Sequence, residues 1–143
     1  MKSINDIQEE IVSEFEVYDD WMDKYNYLIE LSRDLPLIDL KLKVKENLIN
    51  GCQSKVWLNA EYTMGIIRFT ADSDAIITKG IVALLIRVLS DRKPEEIMQA
   101  ELFFIDRIGL RQNLSPTRSN GLLSMIKQMK LYALAYHAKS IEQ

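Results

Sequence analysis

The sequence predicts an α+β fold, a small antiparallel β-sheet with helices packed on one face, and three observations predict it. Apolar residues recur at helical spacing through the first 35 residues. The period switches to two between residues 56 and 71. It returns to a helical period, with long apolar runs, from residue 75 onward.

Taken in order, Ile4, Ile7, Ile11 and Phe15 mark a first helix with Ser3 as its N-cap. A second helix is expected from about Tyr18 to Asp34, carrying Trp21, Met22, Tyr25, Leu28 and Ile29 and ended by Pro36. Residues 37–50 are mixed and give no regular element. Val56, Leu58, Ala60 and Tyr62 then alternate with polar or aromatic neighbours, and Ile67, Phe69 and Ala71 do the same after Met64-Gly65. Two strands joined so closely form an antiparallel hairpin.

Ser73 or Asp74 is expected to cap a third helix, Ala75 to Ser90, which is apolar on most sides and therefore central to the core. Pro94 with Glu95 and Glu96 opens a short helix, with proline at the first position and acids at the positive end. Leu102 to Ile108 is expected as another. Ser115-Pro116 starts a long last helix with Leu122, Met125, Ile126, Met129, Tyr132, Ala133 and Tyr136 on one face. With no repeat, low-complexity tract or linker, the 143 residues read as one domain, 1–143.

Composition narrows the function. No apolar run approaches the ~20 residues that span a membrane, and the N-terminus has no apolar signal core. A cytoplasmic location is the expectation, and a single cysteine, which cannot close an internal disulfide, suits a reducing compartment. Residues 1–35 hold ten acids against three bases, a net −7, so the remainder carries +4 of the chain's −3. Between Asp106 and Glu142 there is no acid, only Arg107, Arg111, Arg118, Lys127, Lys130 and Lys139. Most simply these are solvated helix faces, and they are too sparse in a net acidic chain for nucleic acid. One Cys and one His (His137, expected to cap carbonyls or face solvent) fall short of the ligands structural zinc needs. The glycines are isolated, so no phosphate loop is present.

The thiol remains. "NGCQSKVW" (50–57) places Cys52 after a turn-forming Asn-Gly and before polar Gln53 and Ser54, in a surface loop feeding the first strand. A lone cysteine is most often an inert packed side chain. Here the loop setting implies access, and Lys55 is placed to favour a thiolate. Without a second cysteine a dithiol cycle is excluded. A covalent group carrier, a persulfide relay or a redox sensor stay open.

These segments resemble the SufE family, sulfur acceptors that work with cysteine desulfurases in iron–sulfur cluster assembly. The resemblance runs through "WMDKYNYLIELSRDLP" (21–36), "NGCQSKVW" (50–57), "GIIRFTADSDAIITKGIVALL" (65–85) and "LSPTRSNGLLSMI" (114–126). It implies a fold like that of IscU-type scaffolds. It implies that Cys52 accepts sulfane sulfur from a SufS-type desulfurase, holds it as a persulfide, stimulates that enzyme and passes the sulfur to a Suf scaffold complex. No cofactor is expected on this chain, since pyridoxal phosphate belongs to the partner; no metal, nucleic acid or membrane is expected either. Gly51 is read as the bend beside the thiol, Gln53 and Ser54 as polar groups near it, and Asp74 as a neighbour of the loop whose N-cap role is a sufficient alternative. Arg118, a cation awkwardly placed in a first helical turn, is read as a contact for partner or thiolate. Asn113 stands where some relatives have His, so no proton-transfer role is carried over. The family also implies a thiol tucked into an apolar cavity, with Val56, Trp57 or Leu58 as expected lining. The alternative is a non-catalytic interaction module of the same fold whose cysteine is merely packed.

Overall fold

A computed structural model describes residues 2–142. Helix α1 (Ile4–Glu16) begins where Ser3 Oγ accepts the Asp6 N–H at 3.0 Å and the Asp6 carboxylate accepts the Ser3 N–H at 3.3 Å. Each group satisfies a donor that the helix itself cannot. Gln8, fully buried, donates to the Glu101 carbonyl at 3.0 Å and accepts the Phe104 N–H at 3.1 Å, tying α1 to a segment far along the chain.

Helix α2 (Trp21–Leu31) starts three residues later than its apolar spacing predicts, because Asp20 accepts the Asp23 N–H at 2.9 Å and fixes the boundary. It runs on into a 3-10 turn at Ser32–Asp34. Pro36 disfavours helical backbone before it, and Leu35 is extended. Residues 37–50, where the sequence gives no regular element, contain two 3-10 turns (Leu40–Leu42 and Lys45–Asn47).

Strands β1 (Val56–Thr63) and β2 (Ile66–Ser73) pair antiparallel from Val56↔Ser73 to Thr63↔Ile66. Met64 (φ 54°) and Gly65 (φ 84°) are both left-handed, as a two-residue hairpin turn with the right twist requires. Short bridges blunt both outer edges: Ile49 N–H donates to Val56 O beside β1, and Ile38 and Arg92 meet β2. Val56, Leu58, Ala60, Ile67, Phe69 and Ala71 fill one face.

Onto that face pack α3 (Ile76–Leu89) and α7 (Pro116–Glu142). Helix α3 is buried nearly all round. Its Gly80 lets α2 approach so closely that a Cβ there would collide with the Leu28 carbonyl. The expected cap of α3 is corrected: Ala75 stands at the N-cap with no side-chain bond. Ser73 Oγ accepts only the Ala75 N–H, and the Asp74 carboxylate is turned toward Lys55. Between α3 and α7 lie α4 (Pro94–Gln99), α5 (Phe104–Arg107) and α6 (Leu110–Asn113). The single helix expected near 102–108 is short, and Gly109 at φ 81° separates it from α6, which the spacing does not reveal. Ser115 Oγ accepts the Arg118 N–H at the start of α7, and Tyr136 of α7 donates to the Ala60 carbonyl at 3.0 Å while stacking on Tyr62. His137 is also corrected: its Nδ1 lies 2.7 Å from Glu95 Oε1, linking α7 to α4.

Candidate functional site

Cys52 sits in the loop between Ile49 and β1, and contacts on either side fix the loop. At its foot the Lys55 N–H donates to Asp74 Oδ1 at 3.0 Å, and the Asp74 N–H donates to the Lys55 carbonyl at 3.2 Å. At its tip Gly51 adopts φ +93°, and a Cβ there would press on Ser124 Oγ of α7. Glycine is needed for both reasons, conformation and space. Cys52 is half-buried, its Sγ donating a weak hydrogen bond to the Gly121 carbonyl at 3.6 Å. Gly121 lies in the interior of α7, where glycine weakens a helix; a Cβ there would sit 3.5 Å from Sγ, in van der Waals contact.

Beside the thiol is a cavity of about 20 Å³, lined by Cys52, Gln53 and Ser54 from the loop, Thr78 and Ile81 from α3, and Thr117, Arg118, Gly121 and Met125 from α7. Of the residues read from the sequence, Cys52, Gln53, Ser54 and Arg118 thus meet at one place. Gly51 adjoins it, and Asp74 stands off at the loop foot. The lining holds no carboxylate among the described residues, so the exposed Arg118 brings the formal charge on it. A wider depression of about 590 Å³ runs along α1, walled by acids and remote in sequence from the loop.

Burial pushes the Cys52 thiol above its ordinary range. This corrects the expectation that Lys55 favours a thiolate: Lys55 is exposed, and burial acts unopposed. The expected lining by Val56, Trp57 and Leu58 is also overturned. Strand alternation sends Val56 and Leu58 into the core and Trp57 to the other face, where Lys43 Nζ lies 4.6 Å from its ring centre. Asn113 is exposed and donates to the Gly109 carbonyl of its own turn.

Sequence reasoning missed Thr78, Ile81, Thr117, Gly121 and Met125. Two carried a signal: Gly121, a glycine inside a helix, marks a close approach, and Thr78 is a polar residue in an apolar helix.

Residues 9–133 match the family described as SufE, Fe-S metabolism associated domain. The chain belongs to the SufE family. An uncharacterized SufE-like protein of Rhizobium etli is 41% identical over 128 residues, covering 85% of this chain and 86% of that one. One of Rhizobium meliloti is 36% identical over 127 residues, with 85% and 91% covered. A SufE-like protein 1 of Arabidopsis thaliana, named chloroplastic/mitochondrial, is 38% identical over 135 residues, which is 94% of this chain and 36% of the longer plant protein. Among solved structures, the solution structure of a hypothetical protein from Thermus thermophilus superposes with a TM-score of 0.74 over 90% of this chain and 94% of its own, at 18% identity, a likeness of fold. SufE membership associates the chain with Fe-S metabolism. Among the described residues no helix is long and apolar enough to cross a membrane.

Proposed function

We propose that this protein is a sulfur acceptor and activator for a cysteine desulfurase of the SufS type, with Cys52 as the persulfide carrier and a Suf scaffold complex as recipient. The observation that carries the reading is the setting of the one thiol. It rests half-buried on α7 by a weak bond, in a loop clamped at its foot and free of a covalent tether at its tip. Such a thiol is protected at rest and cheap to release, because an Sγ···O contact at 3.6 Å holds far less than an ordinary hydrogen bond. Swinging out removes the burial that suppresses ionisation, and Arg118 at the cavity rim is placed to favour the emerging thiolate.

The chemistry needs no oxidant. The Cys52 thiolate forms a bond to the outer sulfur of the desulfurase's own persulfide. The donor S–S bond breaks, and the donor leaves as a thiolate that takes up the proton Cys52 released. Clearing that persulfide frees the desulfurase for its next turnover. Pyridoxal phosphate chemistry stays with the partner, and this chain is a covalent carrier rather than a free-standing enzyme. The reading places it in a reducing compartment, the cytoplasm.

The raised, hydrogen-bonded thiol equally favours a second reading, an interaction module whose cysteine is merely packed. Sulfide release by a cysteine desulfurase, with free cysteine and excess reductant, separates the two. Wild-type protein is expected to stimulate it and Cys52→Ser to fold yet give no stimulation. Stimulation by Cys52→Ser equal to wild type would leave only the packed-cysteine reading.

A further inference from the structure

We propose that the C-terminal half of α7 carries a second docking face, remote from the thiol, for an acidic amphipathic helix of a partner protein.

Helix α7 is apolar on two opposite sides. Met125, Met129 and Ala133 are buried on one side, and Tyr136 of the same stripe donates to the Ala60 carbonyl. That stripe holds the helix to the body. Leu123, Lys127, Leu131, Leu134, Ala138 and Ile141 form another, on the far side, and all six are exposed. Their steps of three and four residues keep them within about 80° of one another on a helix of 3.6 residues per turn. This is the seam spacing by which one helix receives a second. Leu123 and Leu134 are each 50% exposed, Leu131 45% and Ile141 70%. Single apolar residues facing solvent are ordinary, but four large ones in register along one helix form a contact surface. A helix serving the core alone needs only the first stripe.

Charge names the occupant. From Arg107 to Ile141 the chain has no acid. Lys127 stands within the seam, with Lys130 on one flank and Lys139 on the other. Lys130 Nζ donates to the Ala100 carbonyl at 2.7 Å and Lys139 Nζ lies 5.9 Å from the Tyr136 ring centre, and no carboxylate pairs with any of the three among the described residues. Two copies meeting through this face would bring lysines together with no acid between them. The chain's own acidic helix α1 does not fit either, since its Ile4, Ile11, Val12 and Phe15 are already buried. A partner helix with large apolar residues at three- and four-residue steps, flanked by Asp or Glu, matches both the seam and its charge.

The thiol meets α7 at Gly121. Leu131 and Ile141 lie about 15 and 30 Å further along the axis, at 1.5 Å per residue. A helix seated there leaves the cysteine loop open, so both faces can be engaged at once.

The probe is a synthetic helix of three heptads with leucine at the seam positions and glutamate on the flanks, labelled for fluorescence anisotropy. Its control carries lysine in place of glutamate. Both are titrated with the full chain as wild type, Leu134→Asp and Lys127→Glu. The two side chains are exposed, so both variants are expected to keep the wild-type melting midpoint. Wild type is expected to bind the glutamate peptide over the lysine one, less tightly as salt rises. Leu134→Asp is expected to weaken binding roughly tenfold or more, and Lys127→Glu to reduce the preference for glutamate. Stimulation of a cysteine desulfurase by Leu134→Asp is expected to equal that of wild type. No binding of the glutamate peptide, equal binding of the lysine peptide, or binding unchanged in both variants overturns the face. A wild-type dimer in sedimentation that Leu134→Asp dissolves, or binding to anionic phospholipid vesicles that Leu134→Asp abolishes, overturns the acidic helix as occupant. Loss of stimulation in a folded Leu134→Asp overturns the separation of this face from the thiol.

Discussion

The proposed chemistry turns on a thiol held back from reaction. Burial raises the Cys52 thiol, so the thiolate is scarcer at rest at any pH below that range than for an ordinary cysteine. The rate of alkylation by iodoacetamide is therefore expected to rise with pH along a curve displaced upward from that of free cysteine; a curve displaced downward would mean an activated thiol. The shift also has a sign in stability: the folded state prefers the neutral form, a contribution present below the unfolded thiol's pKa and lost as pH climbs through the folded one. Gly51 gives a second test. Gly51 and Gly65 both have positive φ, but a Cβ on Gly65 meets nothing within 4 Å, whereas one on Gly51 presses on Ser124. Gly51→Ala is expected to cost more than Gly65→Ala, by about 1–3 kcal/mol of overpacking, in urea unfolding, and equal costs would show that Ser124 yields freely.

Among the elements, α3 is the one on which the others depend. Gly80→Ala forces α2 off the Leu28 carbonyl contact and is expected to lower stability by about 2 kcal/mol or more, or about 4–8 °C in melting midpoint for a chain of this size. An unchanged midpoint would mean that α2 is loosely seated. The far end of α3 is tied to α1 by Arg87, which pairs with Glu14 through both guanidinium nitrogens, while Tyr27 donates to the same carboxylate at 2.5 Å. The Arg87 bonds chiefly hold Glu14 below the usual carboxylate range, against burial and with help from Tyr27. Because the folded pKa is depressed, this stability is present above about pH 4.3, the ordinary glutamate value, and is lost as pH falls through the folded one. Glu14→Gln is expected to cost about 1 kcal/mol at pH 7, discounted because both partners are about a third exposed. The gap should narrow in acid, and a gap independent of pH would place the cost in packing instead.

At this scale the sequence was informative where local chemistry decides. Ser3, Met64-Gly65 and Pro94 announce their elements. It was silent where a boundary is set by one hydrogen bond, as at Asp20, or by one left-handed residue, as at Gly109. It misled where a side chain has two uses. Asp74 can cap α3 or bind the Lys55 N–H, and only the folded loop shows that it does the second. The loop half of the site was legible for the same local reason. The other half comes from α3 and α7, whose residues meet Cys52 only through long-range packing.

For the whole molecule, the acidic first 35 residues and the basic stretch after Asp106 give a charge asymmetry, a feature that in general can steer charged partners. If it guides docking, stimulation of a desulfurase should weaken as salt rises; a flat response would assign those charges to solvation alone. The fold supplies the rest: a hairpin with blunted edges, α3 and α7 beneath it, and one loop that presents the thiol to α7. The central claim is that this loop carries sulfur, and intact mass after incubation with a cysteine desulfurase, pyridoxal phosphate and free cysteine tests it most directly. The account predicts a gain of one sulfur atom that reductant removes and that Cys52→Ser never shows. Wild type remaining at its starting mass beside a demonstrably active desulfurase would contradict it.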